Sequence, residues 1–87
     1  MKAVVTVIGK DMVGILARVA GACAEQNANV EQVTQSVLDG FFCMVMIVDI
    51  QNLTCTLDTL QAKISDKVSG MVVHVMHEDI FNSMHRI

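Results

Sequence analysis

Val4-Val5-Thr6-Val7-Ile8-Gly9-Lys10-Asp11-Met12-Val13-Gly14-Ile15 joins an apolar, β-branched strand to a Gly-x-Asp-x-x-Gly turn that opens directly onto a helix. Behind Gly14, the residues Ile15, Val19, Ala22 and Cys23 recur at helical spacing, and the pattern stops near Gln26-Asn27-Ala28-Asn29. The spacing predicts a strand over residues 2–8 and a helix after Gly14. Exposed N–H groups and the positive end of the dipole at such a helix start suit an anionic or zwitterionic ligand. The turn also has a purely structural reading. In it Gly9 releases the chain from the strand, Asp11 caps backbone N–H groups, and Gly14 lets the helix pack closely.

Downstream, a second strand is expected from Asn29 or Val30 to Leu38. Asp39-Gly40 then signals a tight hairpin turn into the strongly apolar run from Phe41 to Ile50. Thr54 or Thr56 is placed to cap a second helix whose Leu57, Leu60, Ile64 and Val68 form one apolar stripe, and Gly70 ends it. Met71 to His77 reads as a fourth strand. Glu78 to Ile87 reads as a short amphipathic helix with Ile80, Phe81, Met84 and Ile87 on one side. Two strand-helix-strand units with right-handed crossovers give an α+β fold: a four-stranded antiparallel sheet of order 4-1-3-2 with both main helices on one face. Strand 2, with Glu31, Gln32, Thr34, Gln35 and Ser36, is polar, as an edge strand should be.

The chain is long enough for one domain of 87 residues, and its composition of 53% hydrophobic and 17% charged residues is rich in apolar groups for that size. Strand 3 is apolar on both faces from Phe41 to Val48, whereas an antiparallel sheet with one wet face would alternate. Two things could cover the second face: the C-terminal helix folding Phe81 and Met84 under the sheet, or a second protomer. A monomer exposing Phe42, Met44, Met46 and Val48, or their alternates, would carry an unusually large apolar patch, so a homodimer is expected.

Several function classes are disfavoured. The net charge is −3 and the six Lys and Arg residues are scattered, so nucleic acid would find no basic footprint, and three phenylalanines without Tyr or Trp make no RNA-stacking platform. No apolar run approaches the roughly 18–20 residues of a membrane span, and a cytoplasmic protein is expected. Cys23, Cys43 and Cys55 fit neither a disulfide framework nor a metal motif, and read as free thiols. His74 and His77 fall on opposite faces of a strand, leaving only His77 with Glu78, Asp79 or His85 to converge, so no metal or other cofactor is expected. The first turn lacks the Lys-Ser/Thr pair of a phosphate-binding loop, since Ile15-Leu16 stand there, and offers only Lys10 where a phosphate-cleaving enzyme would need arginine. Catalysis is not expected.

The element order, the Gly-x-Asp-x-x-Gly turn and Asn29-Val30-Glu31 at the start of the second strand together resemble the ACT domain, a ferredoxin-like regulatory module. The likeness spans residues 1 to about 77 as the core. The tail Glu78-Asp79-Ile80-Phe81-Asn82-Ser83-Met84-His85-Arg86-Ile87 is similar to that of small stand-alone single-ACT-domain proteins. The resemblance implies a module without catalytic activity that binds an amino acid or related metabolite at a domain interface, acting as a homodimer or through an enzyme or regulator partner. A protein-interaction or structural dimer without ligand is the alternative, and a metal-binding protein is the more distant one. Carried across by position, the effector site falls on Asp11, Met12, Val13, Gly14 and Ile15, with Asn29 and Val30 opposite. There the Gly14 and Ile15 N–H groups would hold a carboxylate, and Asp11 and Asn29 an ammonium or amide. Val13 stands where many ligand-binding members have proline.

Overall fold

In the computed structural model, which describes residues 1–84, the N-terminal β-branched run forms β1 (Lys2–Lys10) and continues through Gly9 instead of ending at it. Then come α1 (Ile15–Glu25), β2 (Asn29–Leu38), β3 (Phe41–Asp49), α2 (Leu57–Lys67), β4 (Val72–His77) and α3 (Glu78–Met84). The sheet is antiparallel with order β2-β3-β1-β4, the arrangement expected from the crossover rule. The expected extension of the last helix over His85, Arg86 and Ile87 lies outside the described residues. No helix among the described residues is long and apolar enough to cross a membrane.

Local chemistry accounts for the joints. Asp39 and Gly40 both take positive φ, 52° and 80°, as a type I′ hairpin requires. Thr56 rather than Thr54 caps α2, its Oγ1 accepting from the Thr59 N–H at 3.1 Å. Thr54 instead donates through its N–H and Oγ1 to the Gln26 carbonyl oxygen at 3.1 and 3.2 Å, tying the β3–α2 loop to the end of α1. Asn27, at φ 60°, closes α1 in the left-handed position usually held by glycine. Its N–H donates to the Ala24 oxygen at 3.1 Å, and the Ala28 N–H donates to the Cys23 oxygen at 2.9 Å.

Between the helices and the sheet lies one core. Ala3, Val5 and Val7 of β1 and Met44, Met46 and Val48 of β3 meet Ile15, Val19 and Cys23 of α1 and Leu60 and Ile64 of α2, all buried. Cys23 is a free thiol whose pKa burial pushes up to about 11, a small hydrophobe in effect. A bulge at Glu31 puts Val30 and Val33 on the same face although they are three apart, and frees the Glu31 carboxylate to reach Lys2 Nζ at 2.9 Å. The rest of β2 is exposed, the polar edge expected.

Gly9 is fixed by packing. A Cβ there would stand 3.0 Å from Met71 Cγ and 3.2 Å from Met71 Cα, so the β4 approach depends on its missing side chain. Gly9→Ala is expected to destabilise the fold by about 1–3 kcal/mol in chemical denaturation, the cost of overpacking.

On the other sheet face the alternates of the core residues emerge. Register places Ile8, Phe41, Val45 and Val72 there, exposed by 47%, 54%, 38% and 57%. Leu38, paired with Phe41, is 73% exposed beside them. The last helix, α3, packs on β1 and β4; Val4 on this face is buried and Phe81 is half-buried, while Met84 remains 65% exposed. It therefore covers one part of the open face and leaves the hairpin end bare.

Candidate functional site

The β1–α1 turn owes its shape to two glycine-dependent features. β1 stays paired to β3 up to the Lys10–Phe41 pair, and the Asp11 N–H then donates to the Gly40 oxygen at 3.2 Å, so the hairpin tip anchors the turn. Gly14 is the α1 N-cap at φ 82°, a left-handed conformation that costs a residue with a Cβ about 1–2 kcal/mol. Its carbonyl accepts from the Arg18 N–H at 3.0 Å, and no side chain caps the helix. Gly14, and not the Asp11 side chain of the structural reading, occupies the cap position, and Asp11 contributes its backbone. The N–H groups opening α1 at Ile15 and Leu16 thus have no side-chain acceptor at the cap, and a helix start in that state attracts anions.

Arg18 is the residue that motif reading passed over. Its Nη1 lies 3.6 Å from Met12 Sδ, and its Nε is 3.9 Å from where a Cβ on Gly14 would sit, so the guanidinium lies against the turn. A thioether is a weak acceptor and leaves the guanidinium able to take a carboxylate. The signal was present, because helical side chains lean toward the N-terminus and a residue four positions after Gly14 overlies the first turn. Asp11, Met12, Val13 and Gly14 are all exposed, with Val13 at 92%, and Ile15 is buried in the core.

Asn29 and Val30 lie elsewhere in the protomer. Asn29 pairs with Asp49, which pairs with Lys2, whereas the turn follows Lys10. The two halves of the expected site are thus separated by the length of β1, roughly 25 Å at about 3.3 Å per residue, far more than an amino acid spans. Asn29 borders a different feature, an open concavity of about 470 Å³ lined by Ala24, Asn27, Ala28, Asn29 and Asn52. At the end of β4, His77 Nδ1 accepts from the Asp79 N–H at 3.1 Å, and His74 is exposed on the opposite face.

The sequence model of the ACT domain matches residues 2–78. A UPF0237 protein of Clostridium perfringens is 45% identical over 89 residues, covering 100% of this chain and of its own. Among solved structures, an ACT domain protein from Streptococcus pneumoniae superposes with a TM-score of 0.77 at 31% identity, covering 98% of each chain. The ACT domain from the GTP pyrophosphokinase of Chlorobium tepidum superposes with a TM-score of 0.65 at 25% identity, over 87% of this chain and 97% of that one.

Proposed function

The chain belongs to the ACT-domain family, whose members are regulatory ligand-binding modules, and from that premise we propose that it is a non-catalytic sensor binding an amino acid or close relative at the interface of a homodimer. The observation that carries this reading is the β1–α1 turn, where uncapped helix N–H groups and the Arg18 guanidinium converge on one exposed surface. That set suits the α-carboxylate of an amino acid. Asp11, exposed on the same turn, offers a carboxylate to an ammonium group.

The distances support a site shared between two copies. A small ligand at Asp11 to Ile15 cannot touch Asn29 or Val30 of its own protomer, so those residues join the site only from a facing copy. The exposed Ile8, Leu38, Phe41 and Val72 supply apolar surface for such a contact. They equally favour a second reading, a protein-interaction dimer that needs no ligand.

Light scattering at micromolar concentration is expected to return twice the mass of the chain, and a monomer with and without each of the twenty amino acids would overturn the shared site. By titration calorimetry, the amino acid that binds is expected to lose about 10- to 100-fold in affinity in Arg18→Ala, since hydrogen bonds to a charged group contribute about 1.5–3 kcal/mol. Unchanged affinity would remove Arg18 from the site. If no amino acid binds and the dimer persists, the second reading stands.

A further inference from the structure

We propose that the concavity at the junction of α1 and β2 is a small-molecule site separate from the β1–α1 turn, selective for a neutral primary carboxamide. Three of its lining residues, Asn27, Asn29 and Asn52, carry carboxamides, and the other two are Ala24 and Ala28. They come from three different places: the left-handed cap of α1, the first residue of β2, and the loop between β3 and α2. The volume of about 470 Å³ falls within the roughly 300–1,000 Å³ typical of small-molecule pockets.

The walls are held by backbone bonds, and among the described residues no hydrogen bond engages the side chain of Asn27, Asn29 or Asn52. Backbone hydrogen bonds from Asn27 and Ala28 to the last turn of α1, and from Thr54 to Gln26, fix the junction, and none of them uses a carboxamide of Asn27, Asn29 or Asn52. Glycine would serve the cap at Asn27 without steric cost. Asparagine there adds a donor and an acceptor at the rim of the concavity.

Each asparagine presents one carbonyl acceptor and an NH₂ donor group. A ligand carboxamide matches both kinds at once, whereas a carboxylate would use only the donors and an ammonium only the acceptors. No lining residue carries a charge, so a charged group would find no partner of opposite sign among them. The negative end of the α1 dipole lies at this junction and opposes a carboxylate further. The turn at the other end of α1 has the contrary preference. The inference stands without the reading proposed above, sharing only Asn29 with it.

Titrating the ¹⁵N-labelled chain with propionamide and propionate, which differ in carboxamide against carboxylate, tests this by amide chemical shifts. Residues 24, 27–29 and 52 are expected to shift saturably with propionamide and not with propionate at equal concentration. Asn52→Ala is expected to weaken propionamide binding about tenfold, the loss of about one hydrogen bond. Asn27→Gly, which keeps the left-handed cap, is expected to do the same with the melting midpoint retained. Equal shifts with propionate, no shifts in these residues, or affinity unchanged in both variants would overturn the proposal. Shifts confined to residues 11–18 would overturn it too, while supporting a ligand at the turn.

Discussion

A Leu60→Ala variant is expected to melt about 12–24 °C below the parent chain in a circular-dichroism scan. Leu60 has 0% of its surface exposed and anchors α2 onto the sheet beside Ile64 and Val68, which are equally buried. Truncating a buried leucine removes its transfer free energy and leaves a cavity, together costing about 3 kcal/mol within a range of about 2–5. In a domain of this size each kcal/mol moves the midpoint by about 4–8 °C. Leu57, one turn earlier and only half-buried, is the internal control, and Leu57→Ala is expected to lose less than half as much. A Leu60→Ala midpoint within 5 °C of the parent would mean that α2 does not pack as described.

The second large effect is on binding. At a hundred times the dissociation constant, a ligand that binds only the folded state stabilises it by about 2.7 kcal/mol, equivalent to about 11–22 °C in a domain of this size. Gly14→Asp is expected to abolish that rise entirely. The substitution places a carboxylate beside the Arg18 guanidinium, on the surface proposed for the ligand's own carboxylate, where a Cβ makes an ordinary contact with Arg18 Nε at 3.9 Å but at a φ of 82°. Strain alone costs about 1–2 kcal/mol and lowers the starting midpoint. Gly14→Ala separates the two causes, because it carries at least as much strain without the charge and is expected to keep part of the ligand-induced rise. Asn29→Ala in the unmutated turn is expected to abolish the rise as well, through the facing protomer.

What the residues reveal alone differs between fold and site. The Asp39-Gly40 hairpin, the two-sided apolar strand from Phe41 to Val48 and the polar edge at β2 were readable because each follows from local backbone or pleat chemistry. Gly9 reads as a strand end in the sequence because the residue that crowds it, Met71, is distant in sequence. Asp11 was misread as a cap because spacing does not distinguish a side-chain cap from a left-handed glycine. Arg18 went unassigned because motif reading stops at the loop, while the residue that covers a helix start lies a turn inside the helix. The separation of Asn29 from the turn follows from topology, since β1 and α1 run in opposite directions. Contacts with a second copy are not written in one chain's periodicity.

The most direct test of the sensor reading is the thermal midpoint of the purified chain across the twenty amino acids, repeated on Gly14→Asp. The expected result is that one amino acid or a close chemical group raises the wild-type midpoint by about 11–22 °C near saturation and leaves the variant unmoved. A panel in which every amino acid leaves the wild-type midpoint where it was, or in which Gly14→Asp responds as fully as wild type, would contradict it.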